Sequence, residues 1–147
     1  MKKLARDVLL GILVCVFITI FEFLVTLPFG APDADFGSRK YSTFINRELL
    51  LTALPAALTT FLLAWWLKTR SESDALREGA IWTAVVALSF VLIGLGNDNF
   101  AAIFRTIGIY ALLTCTFAGP VLYAKRQRLP RTAGNSQNPG TDPKLLS

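Results

Sequence analysis

The sequence contains no histidine among its 147 residues, only two cysteines, and only 17% charged residues. Without histidine there can be no Ser-His or Cys-His nucleophile pair, no histidine-ligated zinc and no haem held by histidine. The two cysteines, Cys15 and Cys115, lie in apolar runs without a CxxC pair or metal-ligand spacing, which is typical of small packing residues. We therefore predict no catalytic residues, no metal site and no cofactor, in a protein that is not an enzyme.

The residues that are present are those of a membrane protein. Hydrophobic residues make up 53% of the chain, and the net charge is +5. The basic residues lie beside apolar runs and are not interleaved with surface aromatics, a distribution that favours membrane topology over nucleic-acid binding. We predict a multi-pass protein of a cell membrane, plasma or bacterial inner, which contacts the lipid bilayer and binds no nucleic acid.

Four apolar runs are long enough, as helices, to cross a hydrocarbon core about 30 Å thick. The predicted spans cover residues 8–29, 49–67, 80–95 and 100–124. They predict an all-α membrane protein, in which residues 1–128 form an antiparallel bundle of four transmembrane helices. Residues 129–147 are rich in proline, glycine and small polar residues without periodicity, which predicts a disordered tail.

The segments between the spans carry recognisable signals. Residues 30–48 start with glycine and proline, which predicts an irregular loop, and their second half is predicted to form a short interfacial helix leading into the second span. Ser71 to Asp74 predict an N-terminal cap for the third helix, with acidic residues in its first turn. Gly94 to Asn99 predict a tight hairpin between the third and fourth spans.

The distribution of lysine and arginine predicts the orientation of the bundle. Eleven of these residues flank the spans on the side that carries both termini, and three lie on the opposite side. Because positive charge accumulates on the cytoplasmic side, we predict that both termini are cytoplasmic.

The first span contains an acidic residue deep inside its apolar run. One face of this helix carries small and polar residues at helical spacing: Gly11, Cys15, Thr19, Glu22 and Thr26. The fourth span has a similar face: Arg105, Gly108, Leu112, Cys115 and Gly119. At 1.5 Å per residue, Glu22 and Arg105 lie about 10 Å and about 7.5 Å below the same surface. Similar depths and matching faces predict that the first and fourth spans pack together with Glu22 and Arg105 as an intramembrane polar pair.

Three interpretations of Glu22 remain open. In the first, an ion pair with Arg105 keeps Glu22 charged and fixes the helix register. In the second, Glu22 lines an outward-facing polar cavity and binds a proton or a cation, with Arg47, Glu48 and Asp98 at the mouth. In the third, these groups meet another subunit.

The function favoured by the sequence is that of a non-enzymatic accessory protein that binds a membrane partner. The alternative is a small transporter or channel, working as a homo-oligomer, that uses Glu22 as its proton- or cation-binding group. Four spans with a glutamate in the first are similar in outline to the small multidrug resistance transporters. The long first loop, Arg105 and the charge bias depart from that family.

Overall fold

The computed structural model describes residues 2–28, 39–69 and 71–133, with side chains for residues 3–28, 39–69 and 71–127. These residues are helical apart from short turns, and form α1 (Lys2–Thr26), α2 (Arg39–Trp66), α3 (Glu72–Gly96), α4 (Phe100–Phe104) and α5 (Ile107–Ala133). α1, α2, α3 and α5 are long and apolar enough to cross a membrane. The structure therefore supports the all-helical membrane fold and its four candidate spans.

Large apolar side chains are exposed on the outside of all four long helices. Leu9, Leu54, Leu92 and Ile107, one from each helix, are 67%, 76%, 62% and 75% exposed. Such side chains would be unfavourable in water over so large an area, and they are compatible with contact to lipid.

The second span is longer than the sequence predicts. α2 begins at Arg39 and continues without interruption through Asn46 and Glu48, so the helix predicted to lead into the second span is confirmed, and it forms one continuous helix with that span. No glycine or proline interrupts this stretch, and its polar side chains bind neighbouring elements. Residues 29–38, which include the predicted irregular start of the first loop, lie outside the described residues.

The fourth span is divided into two helices. α4 ends at Phe104 and α5 begins at Ile107, so the prediction of one uninterrupted helix from residue 100 to 124 is wrong. Thr106 produces a tight turn: its amide and its hydroxyl both donate to the carbonyl of Ile103, at 3.2 and 2.7 Å. The hydroxyl of Tyr110 donates to the carbonyl of Phe104 at 3.1 Å. These bonds satisfy backbone groups that the break releases.

The predicted connections around α3 are confirmed. Ser71 caps α3 by accepting the amide of Asp74 at 3.0 Å, and Glu72 and Asp74 lie in the first turn. At the other end, Asn97 to Asn99 form a short turn into α4, with Asp98 at a positive φ of 54°. At the carboxyl end of the chain, α5 extends to Ala133, five residues into the predicted disordered tail. Residues 134–147 lie outside the described residues.

The helices are not arranged as the small-residue faces of the first and fourth spans predicted. α1 packs against α2 and α3, and α5 packs against the same two helices, while α1 and α5 share no extended interface. Going around the bundle, the order is α1, α2, α5, α3. The prediction that the first and fourth spans lie side by side is therefore wrong.

Individual contacts fix the direction of neighbouring helices. Gly11 of α1 meets Val85 of α3, and Cys15 lies 3.5 Å from Ser89, so these two helices run in the same direction. α2 and α5 also run in the same direction, because Asn46 bonds Gly108 and Phe61 contacts Tyr123. The starts of α1 and α3 consequently lie at the same end of the bundle as the ends of α2 and α5.

The tightest packing joins α2 and α5. The small-residue row of α2 is buried: Ala53, Ala56, Thr60 and Ala64. A Cβ atom at Gly119 would overlap Thr60 Oγ1 and would lie 2.8 Å from the carbonyl oxygen of Ala57. Only glycine permits this close approach of the two helices.

Candidate functional site

The hydroxyl of Thr26 links Glu22 of α1 with Glu48 of α2. Thr26 Oγ1 donates to Glu48 Oε1 at 3.2 Å, and it also contacts the carbonyl oxygen of Glu22. Thr26 is the last residue of α1, and Glu22 lies about 6 Å before it along the helix axis. We call Glu22, Glu48 and Thr26 the acid pair site.

One oxygen of Glu22 has no hydrogen-bond partner. Glu22 Oε1 is shielded from solvent, and no donor of the described residues reaches it. A shielded carboxylate oxygen without a donor is costly in a low-dielectric environment. A proton on the carboxylate, or a cation between Glu22 and Glu48, would relieve both this cost and the repulsion of the two charges.

The predicted pairing of Glu22 with Arg105 is not found. No ion pair joins them in the described part of the chain, because α1 and α5 lie on opposite corners of the bundle. Arg105 is exposed at the junction of α4 and α5. The ion-pair interpretation, which depended on the adjacency of the two helices, loses its basis.

The residues predicted to form a polar mouth have separate positions. Glu48 belongs to the acid pair site itself. Arg47, next to it on α2, is exposed and lies with its guanidinium carbon 5.8 Å from the ring centre of Phe44. Asp98 is exposed in the turn before α4, and no hydrogen bond or ion pair joins it to either glutamate among the described residues.

The same stretch of α2 contacts the break in the fourth span. Asn46 Oδ1 accepts the amide of Gly108 at 2.8 Å, which caps the beginning of α5. A Cβ atom on Gly108 would lie 2.7 Å from the carbonyl oxygen of Asn46 and 2.8 Å from Leu49 Cβ. Residues 46–49 of α2 thus hold α5 on one side, while Glu48 faces α1. A shift of this segment would change its contacts with α5 and with α1.

A second group of buried charges lies at the other end of the bundle, and sequence reasoning missed it. Asp7 is fully buried and accepts bonds from Arg6 at 2.9 Å and from Arg77 at 3.2 Å. Glu78, 3% exposed, accepts the hydroxyl of Thr69 at 2.7 Å and contacts Arg6 at 3.5 Å. These bonds connect the beginnings of α1 and α3 with the end of α2. The signal in the sequence was an acidic residue directly after an arginine at the start of two helices, in Arg6-Asp7 and in Arg77-Glu78.

The chemistry open to the acid pair site is limited by its donor set. It offers two carboxylates and one hydroxyl, and no group of three or more His, Cys, Asp or Glu side chains suited to a metal ion occurs among the described residues. Calcium takes six to eight oxygen ligands, so two carboxylates suit a proton or a monovalent cation better.

Comparisons with known protein families, with curated proteins and with solved structures gave no match to this chain.

Proposed function

We propose that this protein moves protons or monovalent cations across a membrane, as a small transporter or channel component, and that Glu22 and Glu48 bind the ion. The observation that carries this proposal is the shielded oxygen of Glu22, which no donor of the described residues reaches, in a site that Thr26 connects to a second carboxylate. Ionisable residues inside membrane spans are costly and typically mark ion pathways. The proposed activity is not enzymatic.

The break between α4 and α5, directly before the fourth candidate span, suits the same function. Here the break is held by Asn46, two residues from Glu48, so an ion-dependent shift at Glu48 can be transmitted to the start of α5.

The proposed orientation follows the charge distribution. We propose an antiparallel crossing pattern in a cell membrane with both termini cytoplasmic, which puts the acid pair site near the outer surface. The directions of the four helices are consistent with this pattern. A homo-oligomer completes the proposal, since a bundle of four spans offers little room for a continuous pathway.

The test is ion flux in proteoliposomes. The vesicles carry a pH or potassium gradient and contain a dye that reports it. Wild-type protein should dissipate the gradient. Glu22→Gln and Glu48→Gln should each reduce the rate of ion flux at least about tenfold, because a binding group is lost. Asp98→Asn is the control, since it removes an exposed carboxylate away from the site and should retain the wild-type rate. An unchanged rate in folded Glu22→Gln protein contradicts the proposal.

A second candidate is a partner-binding role, supported by one observation. Thr114 of α5 is exposed on the outside of the bundle. An outward hydroxyl group on a membrane helix suits contact with another helix. Thr114→Leu should then weaken recovery of a membrane partner from mild detergent. Recovery of this chain alone, with wild type and variant alike, counts against the role.

A further inference from the structure

One end of the α2–α5 pair carries an open cleft that the proposed ion pathway does not use. Its volume is about 380 Å³, and it is lined by Trp65, Trp66, Lys68, Tyr123 and Gln127. This volume is in the range of small-molecule sites, about 300–1,000 Å³. The cleft lies at the end of α2, whereas the acid pair site lies near its start.

The described lining of the cleft is rich in hydrogen-bond donors and contains no acidic residue. The Lys68 ammonium carries three donors, and each indole carries one. The hydroxyl of Tyr123 accepts the side-chain amide of Gln127 at 2.9 Å, which leaves its own proton available for a ligand. Tyr123 is held in place by an edge-on contact with Phe61, with ring centres 5.6 Å apart. Such a set of donors suits an anion.

Lys68 occupies a backbone position that favours glycine. Its φ is 54°, and it follows α2 in a helix-ending turn in which its amide bonds the carbonyl of Trp65 and the amide of Thr69 bonds that of Ala64. This left-handed conformation is strained for a residue with a Cβ atom and free of strain for glycine. Backbone preference therefore does not account for lysine here, whereas a role for its charge does.

The level of the cleft in the bundle indicates what kind of anion reaches it. Trp65 and Trp66 are 60% and 70% exposed at the end of α2, and tryptophan at the end of a membrane span lies at headgroup level. Lys125 and Arg126, both exposed, follow Tyr123 at the same end of α5. The cleft therefore opens where lipid phosphates lie, with cations beside it.

We propose that this cleft binds the phosphate of an anionic phospholipid. Lys68 pairs with the phosphate, Tyr123 and the indoles donate hydrogen bonds to its oxygens and to the glycerol esters, and the exposed faces of Trp65 and Trp66 lie along the acyl chains.

The experiment measures lipid retention on the folded protein. Detergent-purified protein is titrated with phosphatidylglycerol or phosphatidylcholine, and bound lipids are counted by native mass spectrometry. Wild type should retain phosphatidylglycerol in preference to phosphatidylcholine. Lys68→Gly should bind phosphatidylglycerol about fivefold more weakly, since one cation near the lipid surface is lost. This variant should keep the fold, because glycine suits the positive φ.

Two controls separate the site from general effects. Lys40→Gln removes one exposed lysine at the opposite end of α2 and should leave lipid retention unchanged. Asp98→Gly makes the same backbone change at the other residue with a φ of 54°, and should also retain lipid as wild type does.

Three results would overturn the proposal. The first is equal retention of phosphatidylglycerol by Lys68→Gly and wild type. The second is an equal loss in Lys40→Gln, which would indicate general charge attraction. The third is displacement of the bound lipid by millimolar inorganic phosphate, which would indicate a site for the free anion.

Discussion

At the scale of single residues, the shielded acidic side chains of this protein have two different kinds of surroundings. Asp7 and Glu78 are buried among two arginines and a threonine hydroxyl, which compensate their charges. Glu22 is connected through Thr26 to another carboxylate, and one of its shielded oxygens has no donor among the described residues. The first arrangement holds helices together. The second suits the binding of a proton or a cation.

Loss of Arg77 should destabilise the protein. Arg77→Gln leaves the fully buried Asp7 with Arg6 as its one cationic partner among the described residues, at a cost of about 2 kcal/mol in unfolding free energy. The cost is reduced because Arg77 is itself 40% exposed. Unfolding in mixed detergent, followed by circular dichroism, measures this loss.

The matched control removes the other partner of Arg77. Asp74 is 42% exposed, and Asp74→Asn should cost less than about 1 kcal/mol. Equal losses in the two variants would show that the buried network contributes no more than a surface ion pair.

At the scale of helices, the small-residue faces decide how closely neighbours approach. Gly11 and Cys15 lie against α3, whereas Glu22 and Thr26, further along the same face, lie against α2. One face of α1 therefore packs against two neighbouring helices, α3 in its first half and α2 near its end. Gly108 and Gly119 of α5 both lie against α2.

Gly119→Ala should separate α2 from α5. The added Cβ atom would overlap Thr60 Oγ1 and two backbone atoms of α2, which cannot move cheaply, so we expect a loss of about 1–3 kcal/mol in stability. Gly96→Ala is the control, because no atom of the described residues lies within 4 Å of its added Cβ. Thermal unfolding of the two variants in the same detergent compares them. A Gly119→Ala protein as stable as Gly96→Ala would contradict the packing described.

Asn46→Ala should loosen the start of α5. The Gly108 amide loses its acceptor, at about 1 kcal/mol, and its hydrogen exchange should become about fivefold faster. Asn97→Ala, which removes an exposed side chain bonded within its own turn, should leave Gly108 unaffected. Exchange followed by mass spectrometry or NMR gives the comparison, and equal Gly108 exchange in the two variants would exclude Asn46 as the cap.

At the scale of the whole molecule, the sequence was sufficient for the number of long helices and for part of their packing faces. In α1, Thr19 of the predicted face is exposed, whereas Leu10 and Val14 are buried. Periodicity shows which side of a helix is small, as at Ala53, Ala56, Thr60 and Ala64, but it does not show which helix covers that side. Glu22 and Arg105 share a depth without sharing an interface for this reason. The break at Arg105 and Thr106 was not predicted, because one of the bonds that stabilise the start of α5 joins Gly108 to Asn46, 62 positions away in sequence.

Membrane orientation is a property of the whole chain, and it can be tested with two cysteine variants. In a chain without Cys15 and Cys115, Asp98→Cys should react with a membrane-impermeant maleimide from outside intact cells. Glu72→Cys, at the start of α3, should react only after the membrane is opened. The reason is the excess of lysine and arginine on the side of the termini. The reverse pattern of labelling would mean that the bundle is inserted the other way round.

The most direct measurement is infrared difference spectroscopy of the carboxyl groups in a lipid bilayer. As the external pH or the external potassium concentration is changed, the wild-type spectrum should show a carboxyl carbonyl band that appears and disappears. Glu22→Gln should abolish that band, and Asp98→Asn should retain it. A band that is identical in wild type and Glu22→Gln would contradict ion binding by the acid pair site.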